Sequence, residues 1–243
     1  MSPSQNQVLI PVDVSETLSL GGTLVETLPL AKTVILGYWP IPDQTAPSQA
    51  REQFEKEAQT RLQSVADRFT DKGIECQTRL VFTADRSQLI DRVTNEYDCH
   101  AVLIPGTESP PSGTTRGIVL VKPNADLNRI VTTLGSLFAE SDVELLLFHV
   151  NDSQDEQLYD ATEYMLRGMA DQLGEFGIDD DQISWKQSTD TDRLNTILSQ
   201  VSDFDFVVLS ETKPSVRERI FGPIQSKLAE KTGKPVLTIR TNI

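Results

Sequence analysis

The chain has 243 residues, with 36 acidic side chains against 22 basic ones and a formal net charge of −14. This balance excludes nucleic acid and anionic membrane surfaces as preferred partners, because both are bound mainly through lysine and arginine. No apolar run reaches the length of a membrane span and the N-terminus has no signal-peptide pattern, so we expect a cytoplasmic protein without membrane insertion.

The first half of the chain alternates short apolar runs with helical patterns. Strands are predicted over 8–13, 33–39, 75–82 and 101–104, and helices over 18–28, 54–69 and 89–93. The helix over 54–69 has the strongest pattern, with Phe54, Ala58, Leu62, Val65 and Phe69 on one face. Regular alternation of this kind is typical of an α/β protein with a parallel sheet.

A turn-rich stretch over 108–115 separates this half from a second one with the same order. Strands are predicted over 117–121, 143–150, around Ile183 and Trp185, and over 204–209 and 236–239. Helices are predicted over 130–138, 164–176, 194–201 and 216–228. We therefore assign one domain to 7–109, a linker to 110–116 and a second domain to 117–243.

The two halves can be superimposed along the sequence as a tandem repeat. Residues 8–13 lie over 119–124, Tyr38 over His149, 72–74 over 176–178, and 84–86 over 191–193. After Ile104 only a short loop precedes the next strand, so the first repeat is predicted to lack its final helix and strand. Such a truncation leaves an unpaired sheet edge, which the second repeat or a partner chain must cover.

The last forty or so residues carry a family resemblance. Strand, polar loop, helix and strand follow one another, with Gly233 ending the helix and Pro235 opening the last strand. This crossover resembles the end of a universal stress protein domain, which carries a phosphate-holding pattern G-x2-G-x9-G-[ST]. Gly222 matches the last glycine of that pattern, and 8–13 resembles the family's first strand with its acidic end. Ser210 and Thr212 stand where loop glycines are expected.

The resemblance implies an α/β fold made of two tandem open parallel-sheet repeats, adenine nucleotide alpha hydrolase-like and Rossmann-like. Ligands of such sheets lie beyond the carboxyl ends of the strands. A bound ATP or AMP is therefore expected to contact seven candidate residues at the carboxyl ends of the strands. No metal ligand is predicted. These cofactor-binding candidates are Asp13, Gly106, Asn124, His149, Ser210, Thr212 and Gly222.

Several function hypotheses stay open from the sequence. Asn124 in the acid position and Pro223 after Gly222 favour a degenerate nucleotide site, hence a non-catalytic stress-response or regulatory protein. One alternative is an adenine-nucleotide sensor acting through the second repeat, and another is a regulatory module beside a membrane transporter. No residue set supplies both a base and a nucleophile, so no enzyme is expected.

Composition and the last strand bear on solubility and partners. The excess of acidic residues is consistent with a halophilic protein, and equally with an ordinary acidic cytosolic one. The two cysteines, Cys76 and Cys99, have neither metal-ligand nor disulfide-scaffold spacing. We expect a homodimer formed through the last strand, with a protein or transporter as the further partner.

Overall fold

The computed structural model describes residues 7–16, 32–107, 113–151, 155–190, 192–210, 228 and 231–240. Within them, the strands are β1 Gln7–Asp13, β2 Lys32–Pro40, β3 Glu75–Thr83, β4 Ala101–Ile104, β5 Arg116–Leu120, β6 Glu144–Asn151, β7 Ile183–Thr189, β8 Phe206–Ser210 and β9 Val236–Ile239. The α-helices are α1 Pro47–Thr70, α2 Arg86–Glu96, α3 Leu127–Phe138, α4 Glu156–Glu175 and α5 Arg193–Val201, and a 3-10 turn spans Asp180–Gln182.

All of these strands belong to one open sheet, in the order β3-β2-β1-β4-β9-β8-β5-β6-β7. Neighbouring strands run parallel everywhere except between β4 and β9. The predicted α/β fold with open parallel sheets is confirmed, and every strand predicted within the described residues is present. The helix predicted over 18–28 and the candidates Thr212 and Gly222 lie outside the described residues.

Helices cover both faces of the sheet, and their apolar spacing explains how they pack. In α1, Ala58, Leu62, Val65 and Phe69 recur at helical spacing and are buried against the sheet. The helices α3 and α4 bury their apolar residues in the same cluster. The helices α2 and α5 pack against other clusters, so the sheet is covered as in a doubly wound fold.

The two halves of the chain share details of capping. Asp85 caps α2 by accepting the Gln88 amide at 2.9 Å, and Asp192 caps α5 by accepting the Asn195 amide at 3.2 Å. Gly73 and Gly177 follow α1 and α4 with φ angles of 78° and 96°, which glycine adopts without strain. These caps and glycines agree with the predicted correspondences of 72–74 with 176–178 and of Asp85 with Asp192, while the tandem repeat itself stays a prediction.

The predicted superposition of the first strands is wrong by two residues. The Gln7 carbonyl accepts the His100 amide at 2.8 Å, and the Arg116 carbonyl accepts the Asp205 amide at the same distance. Gln7 thus corresponds to Arg116. Counting the same number of residues along β1 and β5 from this pair, Asp13 corresponds to Lys122 and not to Asn124.

The second strands need a correction of one residue. Lys32 pairs with Gln7 and Glu144 pairs with Arg116, so these two residues are equivalent. Counting the same number of residues along β2 and β6 from this pair, Tyr38 corresponds to Val150 and not to His149. A continuous apolar run offers several local alignments, and only the partners across the sheet select one of them.

The strand β9 joins the two halves. It pairs in parallel with β8 and in antiparallel with β4, where Ala101 faces Ile239 and Ile104 faces Val236. The second half thus covers the edge of β4, one of the two covers expected. Since both edges of β9 are bonded within the chain, the predicted homodimer through this strand has no free edge to use. The homodimer and the protein or transporter partner stay predictions, and a dimer would have to use another surface.

The antiparallel pairing also separates the candidate sites. The carboxyl ends of β1, β2 and β4, here named the first rim, lie at one edge of the sheet. Those of β5, β6 and β8, named the second rim, lie at the opposite edge, because the two halves run in opposite directions. The division into two domains with a linker over 110–116 stays a prediction, although β5 begins inside that linker at Arg116.

None of the helices in the described part of the chain combines the length and hydrophobicity needed to cross a bilayer.

Candidate functional site

A pocket of about 610 Å³ opens at the second rim. The loop after β5, the end of β6, the helix α4 and the first residue of α5 enclose it. Its polar lining comes from Lys122, Asn124, His149, Asn151 and Arg193. The structure therefore brings two of the predicted site residues, Asn124 and His149, into one pocket at the carboxyl edge of a parallel sheet, where ligands of such sheets bind.

His149 is held by a backbone contact at the base of this pocket. The residue is only 6% exposed, and its Nδ1 lies 2.7 Å from the Val121 carbonyl oxygen. A carbonyl oxygen can only accept, so Nδ1 carries the proton in this contact. In the neutral ring Nε2 is then an acceptor, which can take a hydrogen bond from a ligand hydroxyl or amino group.

Asn151 ends β6 beside His149 and is also buried. Its Nδ2 donates to Oε1 of Gln187 at 2.9 Å, and its Oδ1 accepts from the Thr162 hydroxyl at 3.4 Å. These contacts tie the end of β6 to β7 and α4. They fix the amide orientation without a ligand, which makes this part of the pocket preformed.

Two cations give the pocket its charge. Arg193 follows the cap residue Asp192, and its buried Nε has no hydrogen-bond partner among the described residues. Lys122 enters from the loop after β5, at the position equivalent to Asp13. A lysine and an arginine facing one cavity suit an anionic or acceptor-rich ligand, and Lys122 carries the charge opposite to that of Asp13.

The remaining wall of the pocket is apolar. It is formed by the first residue of α3 and by side chains of α4, namely Leu127, Leu158, Ala161 and Met165. Leu158 is 53% exposed and places an apolar surface at the mouth of the pocket. Such a wall can take the flat face of a ring, while the cations hold the charged part of the same molecule.

The other second-rim candidates can be placed only in part. Ser210 ends β8 opposite Ile239, is 8% exposed, and its Oγ is buried without a hydrogen-bond partner in the described part of the chain. It does not line the pocket but lies on the strand next to β5. Thr212 and Gly222 lie outside the described residues.

Side chains of the first rim contact one another. The Asp13 carboxylate accepts both the amide and the hydroxyl of Ser15, at 2.9 and 2.6 Å. Tyr38 is 6% exposed, and the Arg86 guanidinium lies 5.0 Å from its ring centroid. Burial raises the pKa of Tyr38 and outweighs the lowering by Arg86, so the phenol stays protonated.

Gly106 has a structural role at the first rim. A Cβ at this residue would lie 2.5 Å from the Gly233 carbonyl oxygen and 2.6 Å from the Pro235 nitrogen. The neighbouring Thr107 amide donates to that same carbonyl at 2.8 Å. The glycine lets the end of β4 approach the turn before β9. Its role in a nucleotide rim stays a prediction.

The two thiols are not poised for nucleophilic chemistry. Burial raises the pKa of Cys99 to about 12 and that of Cys76 to about 11. The thiolate is the reactive form, and it is scarce at neutral pH for both residues. Within the described residues no group of three or more His, Cys, Asp and Glu side chains could hold a metal ion.

Sequence reasoning missed Lys122, Asn151 and Arg193 as pocket residues. The match between 84–86 and 191–193 already placed Arg193 at the start of a helix at the rim, so this arginine was within reach of the sequence. Lys122 was missed because the predicted superposition, wrong by two residues, placed Asn124 opposite Asp13. Asn151 was missed because it follows the apolar run from which the strand over 143–150 was predicted.

Two solved structures that resemble this chain over nearly its whole length are described as universal stress proteins, one of them as a putative one. One, from Archaeoglobus fulgidus DSM 4304, has a TM-score of 0.63 and 15% identity, with 97% of this chain and 96% of that chain covered. A putative universal stress protein from Pseudomonas aeruginosa UCBPP-PA14 has a TM-score of 0.52 and 11% identity, with 98% and 94% covered.

The chain has the universal stress protein fold. A functionally unknown protein from Pseudomonas aeruginosa PAO1 is also similar, with a TM-score of 0.50, 12% identity and coverage of 98% and 93%. No protein-family model and no curated protein sequence matches the chain. At these identities the likeness concerns the fold, so the function has to be argued from the second rim.

Proposed function

We propose that the chain is a non-catalytic regulatory protein of the universal stress protein type, and that its second half binds an adenine nucleotide at the second rim. The observation that carries this proposal is the pocket of about 610 Å³ at the carboxyl edge of the sheet, with cations on one side and an apolar wall on the other. A nucleotide has the matching division into phosphate and base.

The polar groups of the pocket can be assigned roles in holding such a ligand. Lys122 and Arg193 attract the phosphate, and the buried Nε of Arg193 gains the partner that it lacks. His149 Nε2 and Asn124 are placed to bond the sugar or the base edge. Leu158 and Met165 cover the face of the ring. The phosphate is thus held mainly by side chains, in place of the family's glycine-rich loop.

The non-catalytic part of the proposal is supported by the state of the candidate nucleophiles and bases. Both thiols have raised pKa values, and His149 is committed through Nδ1 to the Val121 carbonyl. In the described residues no hydroxyl or thiol is hydrogen-bonded to a histidine, as an activated nucleophile would be.

Calorimetric titration with ATP and Mg²⁺, at low and at high salt, tests the binding. We expect micromolar affinity that falls at least about tenfold, or about 1.4 kcal/mol, in Arg193→Gln. The matched control is Arg86→Gln, which removes the equivalent arginine of the first rim and leaves the affinity unchanged. AMP and adenosine in the same assay measure how much of the affinity comes from phosphate.

Three results would contradict the proposal. No heat at either salt from a folded protein would mean that the second rim has lost nucleotide binding. An equal loss in both arginine variants would remove the pocket as the site. Steady phosphate release from ATP that disappears in His149→Gln would overturn the non-catalytic role.

A further inference from the structure

The strand β3 lies at one end of the sheet and has a neighbour on one side only among the described residues. Its inner edge pairs with β2 along its whole length, from Glu75 to Thr83. Its outer edge is paired with no strand in the described part of the chain. Such an edge presents a row of backbone donors and acceptors, so it is a template for a further strand.

The backbone groups of the outer edge can be identified from one hydrogen bond. The Thr83 carbonyl accepts the Ile41 amide at 3.0 Å, so the backbone groups of Thr83 point toward β2. Backbone groups of successive strand residues point to opposite edges. The amide and carbonyl groups of Thr78, Leu80 and Phe82 therefore point away from β2.

A pocket of about 540 Å³ opens along this edge. Its lining comes from the start of α1, from β3 and from α2, and consists of Pro47, Ser48, Arg51, Arg79, Leu80, Val81, Phe82 and Arg92. Leu80 and Phe82 pack in the same cluster as α1, whereas Val81 packs in the cluster of α2. The pocket therefore reaches both faces of the sheet around the outer edge of β3.

The charged residues that line this pocket are all arginines. Arg92 has no ion pair among the described residues. Arg51 pairs with Glu55 and Arg79 with Glu96, and the side chains of both pairs are 31% to 55% exposed. Exposed pairs of this kind contribute little to stability, so these guanidinium groups can also bond a carboxylate of a ligand. The lining holds no acidic residue, in a chain with 36 acidic residues against 22 basic ones.

We propose that the outer edge of β3 and this pocket, together named the β3 edge, are a docking surface for an acidic segment of a partner protein. The segment binds as a further strand of the sheet, through the outward-facing backbone groups of Thr78, Leu80 and Phe82. Its carboxylates contact Arg79 and Arg92 on the α2 face. The β3 edge shares no residue with the pocket of the second rim, so the proposal does not rest on nucleotide binding.

Hydrogen exchange followed by NMR tests the proposal with a short synthetic peptide that alternates glutamate and valine. In an added strand its glutamates lie on one face, beside Arg79 and Arg92, and its valines on the other. We expect the amides of Leu80 and Phe82 to exchange at least about tenfold more slowly with saturating peptide. The amides of Arg79 and Val81 point toward β2, so their exchange is the internal control.

Two further peptides separate strand pairing from charge. A peptide that alternates glutamate and proline has the same charge, but its prolines have no N–H to donate to the edge. A peptide that alternates lysine and valine can form a strand with the opposite charge. We expect neither to slow the exchange of the Leu80 and Phe82 amides. Equal affinity for the glutamate–proline peptide would overturn the proposal, because charge alone would then explain the binding.

Two substitutions, each with a matched control, locate the peptide by fluorescence anisotropy at low salt. Arg92→Gln should weaken binding about three- to fivefold. Arg68→Gln makes the same change in charge at an exposed residue in the last turn of α1 and should leave the affinity unchanged. Thr78→Pro removes an outward-facing amide and no bond to β2, so binding should weaken about tenfold, whereas Thr78→Ala should bind normally.

Three other results would overturn the proposal. The first is binding of the glutamate–valine peptide without slower exchange at Leu80 and Phe82. The second is an equal affinity of the Arg92→Gln and Arg68→Gln variants. The third is slow exchange of the Leu80 and Phe82 amides in the protein without peptide, because a second copy or another segment of the chain would then cover the edge.

Discussion

In the first rim Tyr38 packs under the Arg86 guanidinium, whereas in the second rim the equivalent residues, Val150 and Arg193, border an open pocket. The acidic position differs as well, with Asp13 bonded to Ser15 on one side and Lys122 facing the pocket on the other. Both rims stand on strands with the same order and on helices with the same aspartate caps.

This difference shows that the scaffold and the rim obey separate constraints. The caps, the glycines after α1 and α4 and the buried strands are fixed by backbone hydrogen bonds and packing, so they agree between the halves. Rim side chains face solvent or ligand, and replacing them changes what the edge binds without changing the sheet.

The largest effect is expected at the contact between the end of β4 and the turn before β9, the two strands whose antiparallel pairing places the rims at opposite ends of the sheet. Gly106→Ala places a Cβ against the Gly233 carbonyl and the Pro235 nitrogen, both backbone atoms that cannot rotate away. We expect a loss of about 2–3 kcal/mol in the free energy of unfolding, measured with urea.

Gly168→Ala is the matched control for this substitution. This glycine lies inside α4 with open space around its Cβ position, so alanine there should stabilise the protein by about 0.5–1 kcal/mol. A neutral effect of Gly106→Ala would show that β4 and β9 are less tightly joined than the structure indicates.

The protein should lose stability when a residue of the first rim is replaced by its equivalent in the second rim. Tyr38→Val removes a buried ring and the partner of Arg86, and we expect a loss of about 2 kcal/mol in urea unfolding. Tyr38→Phe should cost less, because the ring and its contact with Arg86 remain. Equal losses in the two variants would assign the effect to the hydroxyl.

The converse substitution should close the second rim. Val150→Tyr puts a ring into the pocket bordered by Arg193, and ATP affinity should fall at least about tenfold, or about 1.4 kcal/mol, by calorimetry. Val150→Ile adds a single methyl group and serves as the control with near-normal affinity. Undiminished binding in the tyrosine variant would place the nucleotide elsewhere.

The smallest expected effect is a pH dependence that belongs to His100, the residue before β4. The pKa of His100 is lowered from its ordinary value of 6.5 in the folded protein by burial and by Arg129. As pH falls below this value, the unfolded chain takes up the proton first, so stability is full above about 6.5 and decreases below it. His100→Gln should flatten this decrease in urea unfolding between about pH 5 and 8. Parallel pH profiles would exclude His100 as the cause.

Much of the fold follows from local sequence patterns. The buried strands are apolar runs, α1 has a clear helical face, and Gly177 marks the end of α4 as Gly73 does that of α1. What local patterns do not contain is the pairing between distant segments. The antiparallel contact of β4 with β9 and the alignment of Asp13 with Lys122 depend on such pairing, and both were missed.

The candidate site was predictable to a smaller extent. The rule that ligands lie at carboxyl strand ends led to Asn124 and His149, which the structure places in one pocket. The same rule grouped Asp13 and Gly106 with them, although these two residues lie at the opposite edge of the sheet. The direction of each half was the missing information.

The pairing of β4 with β9 also has a consequence during synthesis on the ribosome. Residues 7–107 emerge early, but β4 finds its neighbour only when residues 236–239 have left the exit tunnel, so its hydrogen-bonding edge stays exposed while most of the second half is translated. Contacts this far apart in sequence form late, and an exposed strand edge invites pairing with other nascent chains. The first half is therefore open to such pairing until the last strand arrives.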